Sequence, residues 1–150
     1  LVHVLRVAIC DDEGLARAGM ESLVGKCPDA EVAGAFSNAR EFLEALDGCI
    51  PNTALIDLEM PDLSGFGAVK ALSARDWTNY SEPPLIILVT DDPNFGIAAF
   101  DSGTVGILNK PVRLKRLRPC LERARVALAR HEARQRLHQL SAELGRVRQL

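Results

Sequence analysis

The sequence has no apolar run long enough to cross a bilayer; its densest, Leu85 to Val89, is far too short. The opening Leu1-Val2-His3-Val4-Leu5 lacks a small-residue cleavage site, so it does not read as a signal peptide. Cys10, Cys27, Cys49 and Cys120 are scattered with no C-x-x-C pair. Secreted disulfide scaffolds are shorter and denser in Cys, so reduced thiols in a cytoplasmic protein are expected. Three histidines without ligand spacing argue against a zinc site. There is no internal repeat and no low-complexity tract. The chain also lacks an initiator Met and stops inside a helical pattern, which reads as a fragment of something longer.

What is present suits one compact domain with an appendage. The 150 residues are 47% hydrophobic, enough for a core, and 25% charged, an ordinary share. The formal charge of −2 hides an asymmetry. Residues 1–111 hold 7 Lys/Arg against 17 Asp/Glu, whereas residues 112–150 hold 11 against 3. A −10 charge on 1–111 and a +8 charge on 112–150 point to two functional segments. The expected division is a domain over 1–125 and a helical extension or linker over 126–150.

Val7 to Cys10 reads as a buried strand ending at Asp11-Asp12. Glu13 to Lys26 has helical spacing through Leu15, Ala16, Met20, Leu23 and Val24. Glu31 to Phe36 is a second strand, and Ser37 is placed to cap a helix that Asp47-Gly48 ends. Thr53 to Ile56 is a third strand with Asp57 at its carboxyl end. The loop from Met60-Pro61 to Gly65 opens a helix through Val69 and Leu72. The polar stretch 73–84, holding the only Trp77 and Tyr80, is a surface connection. Leu85 to Val89 and Val105 to Leu108 are the fourth and fifth strands. Between them Asp92-Pro93 opens a short helix through Ile97 and Phe100. A long helix starts near Arg113, and Pro119 kinks it or delays its start.

Strands alternating with helices predict an α/β fold, a doubly wound five-stranded parallel sheet with an extended C-terminal helix. Ligands of such sheets bind at the carboxyl ends of the strands, near the switch point. Asp11, Asp12, Asp57, Thr90 and Lys110 all fall at or just beyond those ends. Clustered carboxylates raise one another's pKa unless a cation neutralises them. Oxygen ligands without His or Cys select Mg²⁺. A carboxylate nucleophile beside such a metal can take a phosphoryl group, with Lys110 and Thr90 holding its oxygens. Singly, each residue has a plainer reading: paired Asp as a helix cap, Lys-Pro as a turn opener. Their joint order is specific.

In the order Asp11-Asp12, Asp57, Met60-Pro61, Gly65, Thr90 and Lys110-Pro111, the chain resembles the response-regulator receiver family over roughly residues 5 to 125. The resemblance implies a flavodoxin-like sheet and phosphoryl transfer from a histidine kinase to Asp57. It implies Asp12 as a direct Mg²⁺ ligand, Asp11 acting through water, and Glu59 contributing its backbone carbonyl. It further implies that Lys110, joined to Pro111 by a cis bond, contacts the phosphoryl group, and that Thr90 moves toward it. The resemblance also implies a domain that is not a conventional enzyme but catalyses its own phosphorylation and dephosphorylation.

Two positions depart from the family pattern. Ile107 stands where the family usually has an aromatic ring, which puts the usual coupling to Thr90 in doubt. Asp91 and then Asp92 follow Thr90 where a small residue is common, extra negative charge that would slow phosphoryl transfer or position a hydrolytic water. Asp91 facing solvent and Asp92 capping the next helix is the plainer account. A degenerate receiver, acting as a phosphorylation-independent dimerisation module, is therefore the rival.

Leu114, Leu117, Leu121, Ala124 and Leu128 follow three- and four-residue steps, resuming out of phase at Leu137, Leu140, Leu144 and Val147. The first set packs partly on the sheet, and the second is expected to pair with another chain as a coiled coil. The alternatives are a homodimer through this helix or through the last strands and helices of the body. Nucleic-acid contact by the basic helix is a third possibility. Lys110 to Leu114, with Phe100, resembles regulators with a LytTR-type output. DNA would then be reached only through that further domain, and no membrane is involved.

Overall fold

Side-chain alternation decides which face of the sheet each strand residue serves. The computed structural model describes residues 4–61, 65–76, 83–92 and 104–149. Five strands lie in it: β1 (Leu5–Cys10), β2 (Ala30–Phe36), β3 (Thr53–Asp57), β4 (Leu85–Thr90) and β5 (Gly106–Asn109). The helices are α1 (Gly14–Gly25), α2 (Ala39–Cys49), α3 (Gly65–Ala74) and α4 (Leu114–Arg148). All pairings are parallel, in the order β2-β1-β3-β4-β5. The expected α/β sheet is observed.

Leu5, Val7 and Ile9 of β1, Leu55 of β3, and Ile87 and Val89 of β4 face one side. There they meet Met20 and Val24 of α1, and Leu117, Cys120, Leu121 and Ala124 of α4. The intervening residues Ala8, Cys10, Ala54, Ile56, Ile86 and Leu88 meet α2 and α3 on the other side, chiefly Phe42, Leu46, Ala68 and Leu72. Two apolar layers therefore bury β1, β3 and β4 on both faces, and this is why those strands read as continuous apolar runs. Gly106 lets α4 lie close to β5, because a Cβ there would sit 2.8 Å from Cys120 Sγ.

Several local expectations are corrected. Asn38 rather than Ser37 caps α2: its backbone is extended and its side chain accepts a hydrogen bond from Glu41 N at 2.8 Å. The Ser37 hydroxyl instead donates to the Glu41 carboxylate. α2 runs through Gly48 to Cys49 and stops at Ile50, which adopts φ 44° and donates its N–H to Leu46 O. Leu15, counted in the apolar pattern of α1, is 92% exposed. Pro119 does not delay α4, which already starts at Leu114. Asp62 to Ser64 of the loop, Trp77 and Tyr80, and the helix expected from Pro93 to Phe100 lie outside the described residues. No helix among the described residues is long and apolar enough to cross a membrane.

Candidate functional site

The chain order reverses direction at β1, which pairs with β2 on one side and β3 on the other. Asp11 follows β1 and Asp57 ends β3, so both stand at this switch point. Backbone bonds hold the neighbouring strand ends together: Asp11 N to Phe36 O (3.0 Å), Leu58 N to Val89 O (2.9 Å) and Lys110 N to Thr90 O (2.9 Å). The last of these carries the Lys110 side chain back over the rim. The Lys110–Pro111 bond is cis.

Asp57 is 1% exposed. Its Oδ1 accepts a hydrogen bond from Glu59 N at 3.0 Å, and its Oδ2 accepts one from Lys110 Nζ at 3.0 Å. Asp11 is fully buried, and its Oδ1 accepts from Glu13 N at 2.9 Å. Its Oδ2 lies 3.2 Å from Lys110 Nζ yet receives no directed hydrogen bond. Asp12 is exposed beside them, and carboxylate oxygens of Asp11, Asp12 and Asp57 all lie within 4.8 Å of one another. Of these three carboxylates, Asp11 and Asp57 share the Lys110 ammonium.

Electrostatics follow from this crowding. Burial pushes the Asp57 carboxyl up to about 6, and the charge of Asp11 adds to the rise. Hydrogen bonds from Glu59 N and Lys110 act in the opposite direction. Burial alone would lower the Lys110 ammonium, but the hydrogen bond and charge of Asp57, with the charge of Asp11, outweigh it and raise it. An Asp11 oxygen buried without a donor, in an all-oxygen cluster of net negative charge, suits a hard divalent cation.

Thr90 is fully buried, and its hydroxyl is turned toward Glu59 Oε1 and Asp92 O, both at 3.4 Å. It also accepts from Asp92 N at 3.1 Å. Ile107 is partly buried against the core layer under α2 and α3. Asp91 is exposed. Two contacts went unforeseen in the sequence: the Glu59 side chain on Thr90, and Arg17 Nη1 donating to Asp11 O at 2.9 Å. Arg17 lies one turn into α1, at helical spacing from Glu13, and that was the available signal.

The fold and this rim define a flavodoxin-like α/β domain with an acidic, lysine-bearing site at its switch point. A family model described as the response regulator receiver domain matches residues 7–122, and the chain belongs to that family. It is 36% identical over 121 residues to the positive alginate biosynthesis regulatory protein of Pseudomonas aeruginosa, covering 80% of this chain and 47% of that protein. It is 32% identical over 122 residues to the transcriptional regulatory protein BtsR of Salmonella typhi, covering 81% and 48%. The chain therefore spans about half the length of the curated relatives it matches. The response regulatory domain of protein mrkE from Klebsiella pneumoniae superposes with TM-score 0.72 at 21% identity, over 84% of this chain and 99% of that one, a likeness of fold.

Proposed function

We propose that this receiver domain is the phosphorylation-controlled input of a longer transcriptional regulator, with Asp57 taking the phosphoryl group from a phosphohistidine of a histidine kinase. The supporting observation is Asp57 itself: buried at the switch point, bonded to Lys110 at 3.0 Å, and within reach of two further carboxylates. A carboxylate oxygen of Asp57 attacks phosphorus, the O–P bond forms as the N–P bond breaks, and the imidazole leaves with the electron pair and takes a proton. Lys110, bonded to Asp57 Oδ2, would follow the transferred oxygens as a point charge. Thr90 would give up Glu59 and turn its hydroxyl to the phosphoryl group. Water later hydrolyses the acyl phosphate.

Asp12 as a direct ligand, Asp11 through water, Asp57, and the Glu59 backbone carbonyl would hold Mg²⁺. Bound there, Mg²⁺ supplies charge neutralisation for an anionic donor approaching an anionic site. Arg17, bonded to Asp11 O, steadies the segment that carries both acidic residues.

The donor protein needs a surface beside Asp57. A cavity of about 670 Å³ between α1 and the segment after β5 is lined by Asp11, Lys110 and Asp91 at one end and by Leu15, Met20 and Val112 along its length. Leu15, 92% exposed at this opening, supports docking of the kinase there. We further assign residues 1–125 to the receiver and 126–150 to a helical extension. Ala124 is the last fully buried residue of α4, and Leu137, Leu140, Leu144 and Val147 are each more than half exposed. Such a stripe favours pairing with a second copy, through which phosphorylation would reach a DNA-binding output, LytTR-type or other. A phosphorylation-independent dimerisation module is the second reading, favoured by Ile107 and by the engagement of Thr90 with Glu59 and Asp92. Acetyl phosphate distinguishes the two: a Mg²⁺-dependent, hydroxylamine-labile label supports the acceptor role, and no label supports the module.

A further inference from the structure

The end of the sheet opposite Asp57 carries a second cavity, about 430 Å³, where β1 and β2 begin. One wall is Leu5, Pro28 and Ala30; the other is Pro119 and Leu121 of α4. That volume falls within the usual range of small-molecule sites, which pair apolar walls with a few convergent polar groups. Three cations stand around it: Lys115, Arg118 and Arg125. Asp29 and Glu122 both engage Arg125, whose Nη1 lies 3.2 Å from Asp29 Oδ2 and 2.9 Å from Glu122 Oε2. Arg125 Nε is buried and has no hydrogen-bond partner. Lys115 and Arg118 form no ion pair among the described residues. An apolar chamber whose lining includes a guanidinium with an orphaned N–H and two cations outside any described ion pair, beside two acids already engaged by Arg125, is complementary to one chemistry.

We propose that this cavity binds a small organic anion with an apolar body, its carboxylate, sulfonate or phosphate group set against Lys115, Arg118 and Arg125 Nε. A bare inorganic anion would satisfy the cations but leave the apolar walls in contact with water. The site lies at the other end of the sheet from Asp57 and does not rest on the phosphorylation proposed above. One of its walls is α4, the helix that continues beyond the body, and the other includes the turn joining α1 to β2. A ligand bridging the two stabilises the docked position of α4 by linkage, in proportion to its affinity for that arrangement. The domain would then carry two inputs to one helix.

The test uses the full chain and 8-anilinonaphthalene-1-sulfonate, an aromatic sulfonate whose fluorescence reports binding, with octanoate as competitor. Expected are a saturable one-to-one component displaced by octanoate, weak displacement by inorganic phosphate, and unchanged binding in Asp57→Asn. Lys115 and Arg118 are exposed, so Lys115→Glu with Arg118→Glu should leave the far-ultraviolet circular dichroism intact. The double variant should weaken the octanoate-displaceable component at least about tenfold, while Arg118→Lys retains it. Equal affinity in the charge-reversed protein, or no saturable component for either probe, overturns the proposal.

Discussion

Lys110 Nζ lies 3.0 Å from Asp57 Oδ2 and, on its other side, 3.2 Å from Asp11 Oδ2, so one ammonium serves two buried carboxylates. Removing one partner of a buried ion pair leaves uncompensated charge. Lys110→Ala should therefore destabilise the metal-free domain at neutral pH by about 2 kcal/mol, the loss being softened because Asp57 can protonate. Mg²⁺ should restore part of it. Urea unfolding with and without Mg²⁺ measures both, and a variant as stable as wild type would show that the carboxylates do not depend on this lysine.

The raised Asp57 carboxyl gives a pH dependence of defined sign. Its folded value, about 6, lies above its ordinary 3.8, so the folded state binds the proton more tightly. This contribution favours folding below the ordinary value and is lost as pH rises through about 6. Metal-free stability should carry a falling component across that window, at most about 3 kcal/mol. Asp57→Asn should remove it, and Mg²⁺ should bind more tightly as pH rises to about 6 and then level off. Denaturation at several pH values checks the slope; an identical slope in the variant would locate the titration elsewhere.

If a kinase docks along α1, bulk and charge at Leu15 should matter to one donor only. Leu15→Arg should slow transfer from a phosphorylated histidine kinase domain by about tenfold or more. Labelling by acetyl phosphate, which needs no docking surface, should be nearly unchanged. Equal slowing with both donors would mean that the substitution perturbs Asp57 itself.

Much of this was legible in the sequence, because apolar runs buried on both faces of a sheet announce parallel strands and their ends place Asp11, Asp57, Thr90 and Lys110. Where the pattern failed, the reason is local. Ser37 and Asn38 are both good caps, and only the backbone decides which one reaches Glu41 N. Gly48 invited a helix end, yet Ile50 takes the left-handed position one turn after Leu46. Leu15 fits the helical period of α1 but falls in its first turn, where its side chain opens onto the cavity beside Lys110. The Glu59–Thr90 contact joins residues far apart in the chain, and no spacing rule reports it.

The exposed stripe on α4 sets an expectation about assembly. A helix end without a domain to cover is marginal in water and gains stability from a partner. The full chain should dimerise, and truncation after Ala129 should weaken or abolish the dimer. Added salt should tighten association by screening the Arg-rich flanks. Sedimentation at roughly tens of micromolar decides; a monomeric full chain defeats the pairing, and a truncated chain that dimerises equally well moves the interface to the body.

Intact-protein mass spectrometry reads phosphoryl transfer to Asp57, the proposal on which the rest depends, without a reporter or a partner protein. After incubation with acetyl phosphate and Mg²⁺, wild type should gain the mass of one phosphoryl group, chelation of the metal should prevent the gain, and Asp57→Asn should show none. A gain that persists in Asp57→Asn, or a wild-type protein that stays unlabelled with Mg²⁺ present, would contradict it.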